Sequence, residues 1–299
     1  MKLLVTGANG FIGSNLSLEL EKQGHEVIAL DKAPRSDTLS GFKGSYVQED
    51  ITEVDWDDFK DVSAMFHQAA ITDTTVYDEK LMMSVNYAAF ENILKFATNN
   101  KIPLIYASSA AVYGAAQSPQ KESDAGKPLN IYGISKFKSD ILAKEYMAKI
   151  SSPIIGLRYF NVFGPREHRK GKMASMIWQL YLQMKDGNRP RVFKYGEQSR
   201  DQVYVKDIVN ANLLAWKSKK SGITNVGSGS PVSFNTIINE LNAALGANLQ
   251  PEYIDNPYSK YYQASTQADI SHAKILLDYE PRWKFPSAVK DYVSEIRKV

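Results

Sequence analysis

"KLLVTGANGFIG" runs from Lys2 to Gly13, and its reading decides the fold. The first five residues, with Leu3, Leu4 and Val5 at their centre, make a short apolar run with branched side chains, the mark of a buried strand. Gly7, Gly10 and Gly13 follow, with Phe11 and Ile12 between the last two. Phe11, Ile12, Leu16 and Leu20 then fall on one face of a helix that ends near Gly24. The spacing G-x-x-G-x-x-G is one residue wider at the front than the usual dinucleotide fingerprint, but the physical demand is the same. Glycines let the backbone turn tightly against a pyrophosphate, which rests on the free N–H groups and partial positive charge of the helix N-terminus. A dinucleotide is therefore expected here, with Gly7, Gly10, Phe11, Ile12 and Gly13 around it.

The next stretch, "EVIALD", reads as a second strand ending on Asp31, where a ribose hydroxyl needs an acceptor. Asp31 alone favours NAD, because a carboxylate repels a 2′-phosphate. Lys32 follows directly and Arg35 is close behind, and either cation suits that phosphate. The charges leave NAD and NADP both open. Further strands are expected at "SYVQEDI" (45–51), "AMFHQAA" (64–70), "PLIYASS" (103–109) and "PIIGLRYFNVFG" (153–164). Long helices are expected at 81–100 and 132–149. Strands that alternate with helices pair in parallel, because each parallel neighbour needs a long crossover. The expected fold is an α/β doubly wound parallel sheet of Rossmann type with a second, smaller mixed α/β domain. Residues 1–165 would hold NAD(P) and 166–299 the substrate, with segments near 200–230 packing back on the first domain.

Composition narrows the chemistry. The net charge is only +3, so a nucleic-acid partner is not expected. There is no cysteine, which removes disulfides, thiolate nucleophiles and sulfur-bound zinc. His25, His67, His168 and His272 are scattered, so no metal is expected. No apolar run reaches the roughly 18 residues of a membrane span, and "MKLLVTGANG" does not read as a signal peptide. A cytoplasmic protein without membrane association is the expectation.

"YGISK" places Tyr132 and Lys136 four apart on one helix face. "YLQMK" places Tyr181 and Lys185 likewise, but no parallel strand precedes that helix, and it reads as core and surface. Tyr132 follows the strand end "YASSAAVYG", where open parallel sheets hold their ligands. Taking hydride from an alcohol leaves a proton that a base must accept. A phenol near pKa 10 is a poor base unless a nearby ammonium favours the phenolate. Ser109 and Tyr132 would share the substrate oxygen, with Lys136 anchoring the cofactor ribose.

Taken together, "TGANGFIG", "YASSAAVYG", "YGISK", "RYFNVFGP" and "RDQVYVKDIV" resemble the extended short-chain dehydrogenase/reductases, in their nucleotide-sugar epimerase branch. The resemblance runs from residue 1 to roughly 230. It implies that Asp50 and Ile51 lie by the adenine, that Gln68, Ala69 and Ala70 border the cofactor, and that Asn86 contacts it. It also implies that Asn161 and Arg200 hold a sugar nucleotide. His67 reads as a packing residue.

"REHRKGKMAS" (166–175) carries Arg166, His168, Arg169, Lys170 and Lys172. In isolation this is a solvated basic turn. With "VFKYGEQSRD" and "YYQASTQADIS" it is similar to the ADP-L-glycero-D-manno-heptose 6-epimerase group of that branch, which serves lipopolysaccharide biosynthesis. That likeness implies a second acid/base at Lys170, and substrate contacts at Lys172, Phe193 and Tyr262. It also implies NADP rather than NAD, and a homo-oligomer. The chain departs from the group's pattern at Lys172 and Gln179. The residues themselves leave two reasons for the cluster: a clamp for a diphosphate, or crowding that lowers the pKa of Lys170.

Three rivals remain. A UDP-sugar 4-epimerase shares Ser109, Tyr132 and Lys136 but needs no second base. A 4,6-dehydratase carries an Asp-Glu pair where this chain has Ala110 and Ala111. A non-catalytic NAD(P)-sensing or nucleic-acid-binding relative would keep the glycines and lose the Tyr132–Lys136 pair.

Overall fold

A computed structural model describes residues 1–256 and 265–297. The large sheet takes β1 (Lys2–Thr6), β2 (Glu26–Asp31), β3 (Ser45–Gln48), β4 (Ala64–His67), β5 (Leu104–Ser109) and β6 (Ile154–Tyr159) from the first half of the chain. Later come β7 (Asn161–Phe163), β8 (Arg191–Phe193), β9 (Ser199–Tyr204), β10 (Gly222–Val226), β11 (Pro231–Ser233) and β12 (Glu252–Ile254). The order in the large sheet is β3-β2-β1-β4-β5-β6-β10, parallel throughout. The order reverses between β1 and β4, and the crevice beyond their C-terminal ends is where such sheets bind ligands.

Helices cover both faces. They are α1 (Phe11–Lys22), α2 (Glu79–Met83), α3 (Ala89–Asn99), α4 (Ile131–Met147), α5 (Met176–Lys185), α6 (Val205–Ser218), α7 (Phe234–Leu245), α8 (Ser271–Leu277) and α9 (Phe285–Ile296). Period-two alternation sorts the strand residues between the two layers. Leu3, Val5, Val27 and Ala29 join a core with Leu16, Leu20, Ile208 and Ala273, from α1, α6 and α8. Leu4, Ile28 and Leu30 face the other way, onto Phe90, Ile93 and Leu94 of α3. Both faces are apolar, so the central strands read as unbroken hydrophobic runs. A third core joins α5, α7 and α9 through Ile177, Leu180, Ile237, Leu241, Val289 and Val293. Beside it lie a small sheet ordered β11-β9-β7 and the pair β12-β8.

Several expected elements differ. The stretch 153–164 is two strands, because Phe160 separates β6 of the large sheet from β7, which pairs with β9 instead. The helix expected over 81–100 is interrupted by a π-helical turn at Ser84–Ala88. The strand expected at 64–70 stops at His67 and the one at 45–51 stops at Gln48. Strand β10 closes one edge of the large sheet and lies in the 200–230 segment expected to pack back, whereas α8, which packs there too, comes from a part of the chain expected on the substrate side. No helix among the described residues is long and apolar enough to cross a membrane.

Candidate active site

Two adjoining cavities lie over the C-terminal ends of the central strands. The smaller, about 360 Å³, is lined by Gly7, Gly10, Phe11, Ile12, Gly13, Asp31, Lys32, Asp50, Ile51, Gln68, Ala69 and Ala70. The structure thus brings together all but three of the residues expected around a cofactor. The turn is built for close approach: a Cβ on Gly13 would stand 2.1 Å from the Gly7 carbonyl oxygen, so no other residue lets α1 start so near β1. Backbone N–H groups of Asn9 and Ala33, each at 3.0 Å, fix the Asp31 carboxylate at the far end. A helix N-terminus at one end and a pinned carboxylate at the other fit a dinucleotide.

Cation placement differs from expectation. Arg35 donates to the carbonyls of Leu39 and Phe42 and lies 5.7 Å over the Phe42 ring, which withdraws it from the ribose end. Lys32 lines the cavity. Asn86, expected to touch the cofactor, does not line it. Buried in the π-turn, its amide bonds both backbone groups of Ile71, at 2.8 and 2.9 Å, and donates to Ser135 at 3.1 Å. It braces the cavity wall from behind.

The larger cavity, about 710 Å³, is lined by Ser109, Tyr132, Lys136, Asn161, Lys170, Phe193 and Arg200, among others. Tyr132 reaches it because α4 comes in close: a Cβ on Gly133 would meet the Ala111 carbonyl at 2.7 Å. Asn130 caps the helix, accepting from Gly133 N–H at 2.8 Å. Burial raises the Tyr132 phenol above its ordinary pKa, and a hydrogen bond with Ser109 works against that rise. The buried Lys136 ammonium donates to the Ala107 carbonyl at 2.8 Å. Burial pulls its pKa down to about 8, and Asp140 one turn later opposes the shift. Asp140 pairs with Arg158 of β6 at 2.8 Å and accepts from Tyr106 at 2.9 Å. Breaking such a buried pair costs about 3–5 kcal/mol, so α4 is held firmly against the sheet.

The loop before α5 disperses its cations rather than focusing them. Arg166 donates to the Thr38 carbonyl at 3.0 Å and to Asn15 at 3.2 Å. His168 and Arg169 both meet Asp37 on the surface. Lys172, expected at the substrate, is exposed and sits 3.7 Å from Asp73, outside the cavity lining. Of the five, Lys170 lines both cavities, with its ammonium 5.8 Å over the Phe11 ring. Its pKa is lowered by burial, and Glu167 opposes the shift. Crowding by like charges is not the cause, because the neighbouring cations are turned away and paired. Buried Glu167 anchors the loop, accepting from Gly164 N–H at 3.1 Å and Ser175 N–H at 2.6 Å. Of the loop's cations, Lys170 alone lines the larger cavity.

His67 bonds Thr6 at 2.8 Å and stacks on Phe90, and burial holds its pKa near 3. It is neutral at working pH and part of the core. Tyr181 packs on Trp178 in the third core, away from the cleft. Tyr262 lies outside the described residues. The sequence reading missed Thr72, Thr74 and Gln202, all on the wall of the larger cavity. The first two follow β4 and were findable by the rule that ligands gather beyond strand ends. Gln202 stands two residues after Arg200 on β9, hence on the same face. Among the described residues no group of three or more His, Asp or Glu is placed to hold a metal.

Residues 3–227 match the model of the NAD dependent epimerase/dehydratase family. Among solved structures, the chain is similar to the ADP-L-glycero-D-manno-heptose-6-epimerase of Helicobacter pylori. The TM-score is 0.92 and the identity 38%, over 100% of this chain and 96% of that one. The UDP-N-acetylglucosamine 4-epimerase of Methanobrevibacter ruminantium, solved with UDP-N-acetylmuramic acid, has a TM-score of 0.92 and 28% identity over 100% and 99% of the chains. For the UDP-glucuronic acid 4-epimerase of Bacillus cereus, solved with UDP-glucuronic acid and NAD, the values are 0.86 and 26%, over 99% and 100%.

Proposed function

The chain belongs to the NAD dependent epimerase/dehydratase family, and on that premise we propose that it is an ADP-L-glycero-D-manno-heptose 6-epimerase. It is a nucleotide-sugar epimerase, an isomerase, and the heptose assignment is the finer part of the reading. One observation carries that part: Lys170 enters the cavity that also holds Tyr132 and Ser109, with burial lowering its pKa. A 4-epimerase working through a single tyrosine has no use for a second acid/base group in the cleft.

A bound nicotinamide dinucleotide would supply reversible hydride transfer at the sugar carbon being inverted. Gly7 to Gly13 and Asp31 would hold it, with Lys32 and Asp50 at the adenosine end. The chain's own residues handle position and protons. Ser109 holds the reacting hydroxyl and Tyr132 accepts its proton. Lys136 fixes the floor beside them. Once the sugar has turned, Lys170 serves the second face, so that Tyr132 need not satisfy both geometries.

The direct test is turnover of purified enzyme on either C6 epimer of the ADP-heptose, set beside UDP-galactose. Equilibration of the heptose epimers is expected, with UDP-galactose left unchanged. Equilibration of UDP-galactose and UDP-glucose in its place would move the assignment to a UDP-sugar 4-epimerase.

NADP is the proposed cofactor, supported by Lys32 alone now that Arg35 is tied to the 39–42 loop. A charge-assisted contact to a 2′-phosphate contributes about 1.5–3 kcal/mol. Lys32→Ala should therefore weaken NADP by about tenfold or more and leave NAD unaffected, as read by titration of cofactor-stripped protein. Tighter binding of NAD by the unaltered protein would overturn the choice. A homo-oligomer and a cytoplasmic location belong to the same reading, on the likeness to the heptose epimerases.

A further inference from the structure

We propose that Gln202 is a specificity-determining residue whose side-chain carbonyl accepts a hydrogen bond from a hydroxyl of the bound sugar nucleotide. The proposal deepens the reading above and rests on it for the class of ligand.

Neighbouring residues of β9 show how differently two buried polar groups are treated. Asp201 is fully buried, and its carboxylate accepts from the backbone N–H groups of Ser228, Gly229 and Ala268, at 2.6, 2.9 and 2.9 Å. Gln202 points to the opposite face, into the larger cavity. It is 5% exposed, and its Oε1 has no hydrogen-bond partner among the described residues. The pairing of β7 with β9 sets Asn161 directly beside it, and Arg200 lies two residues along the same face. Asn161 already accepts from Thr266 at 3.4 Å. Around this polar row the cavity wall is apolar, from Phe160, Val162, Met176 and Phe234.

Buried amide carbonyls are almost always paired, and one left unpaired destabilises the fold relative to an apolar side chain of equal size. Methionine has the length of glutamine and would fill this space without that cost. A carbonyl kept there, on a side chain that lines the cleft and one amide rotation from its surface, calls for a donor brought by the ligand. A sugar nucleotide offers hydroxyl donors on its ribose and on its transferred sugar, on either side of an anionic diphosphate that suits the Arg200 cation. A site built to bond a hydroxyl rejects ligands that lack it more strongly than an apolar site does.

Gln202→Met tests this in the holoenzyme, by calorimetric titration with ADP and with ADP-glucose and by steady-state kinetics on the heptose epimers. The Kd of the ADP-sugar and the KM are expected to rise about tenfold, with kcat nearly kept and Tm equal or higher. Equal weakening of ADP itself assigns the hydroxyl to the ribose. Weakening confined to ADP-glucose assigns it to the sugar. Unchanged affinity for both ligands, or a fall in Tm with parallel loss of cofactor, overturns the proposal and leaves Gln202 a packing residue. Should the wild type prefer UDP to ADP, the heptose reading fails, and the same ratios taken with UDP and UDP-glucose still decide Gln202.

Discussion

Tyr132→Phe is expected to lose about a hundredfold or more in turnover while the protein still binds its cofactor. The substitution removes one oxygen from a buried ring and keeps the shape of α4. The cofactor cradle lies in the glycine turn and at Asp31, so binding there has no reason to change. What is lost is the group hydrogen-bonded to Ser109 that can take a proton from a substrate hydroxyl. Burial holds the phenol above its ordinary pKa in the protein alone, so the phenolate must be favoured by what enters the cleft. Activity should accordingly rise with pH on the acid side, and the Phe variant should lose that limb. Tyr181→Phe is the internal control. The ring of Tyr181 packs on Trp178 in the third core, and its loss of a hydroxyl should leave turnover intact. Full activity of Tyr132→Phe would remove Tyr132 from the mechanism.

Lys170→Ala should be nearly as damaging, and in a distinguishable way. If Lys170 only paired with phosphate, its loss would raise KM and leave kcat alone. A base used on one face of the sugar instead depresses the rate at saturation. With enzyme in excess, the variant should still oxidise one epimer, seen as a rise in nicotinamide absorbance, and fail to deliver the other. Lys170→Arg sharpens the comparison. Arginine keeps the charge and the reach of a clamp but does not release its proton, so it too should fail. In that half-reaction the Lys170 ammonium gives its proton to the carbonyl oxygen as hydride returns; burial lowers its pKa and Glu167 opposes that shift, so the second half-reaction fades as pH rises through that lowered pKa. Arg169→Ala should leave this pH profile where it is, because Arg169 is spent on Asp37 at the surface. A Lys170→Ala enzyme that epimerises at the wild-type rate once saturated would return Lys170 to ligand binding.

Much of the cleft was legible because short windows of sequence carry backbone instructions. Glycine spacing between a strand and a helix, a carboxylate closing β2 and a serine closing β5 all lie within a few residues of the geometry they create. Tyr132 stood out from Tyr181 for the same kind of reason, a parallel strand end just upstream. What the sequence did not show has one source. Asn86, expected at the cofactor from its place in the chain, sits in a π-turn and holds Ile71 and Ser135. The run 153–164 looked like one strand because β-pattern does not reveal a change of partner at Phe160.

The sequence by itself determined the alternation of strands and helices, the dinucleotide turn and the Ser109, Tyr132, Lys136 set. These follow from local periodicity and from what single residues permit of the backbone. Only the tertiary structure decided where the long charged side chains point. Asp37 captures Arg169 from 132 positions away, Thr38 and Asn15 take Arg166, and the 39–42 carbonyls take Arg35. Lys170 is left to enter the cleft, and Gln202 to face it unpaired. A flexible cation has many rotamers and no preference written in its neighbours along the chain. Its partner is chosen by whichever acceptor packing brings within reach, and that choice exists only after the fold has formed.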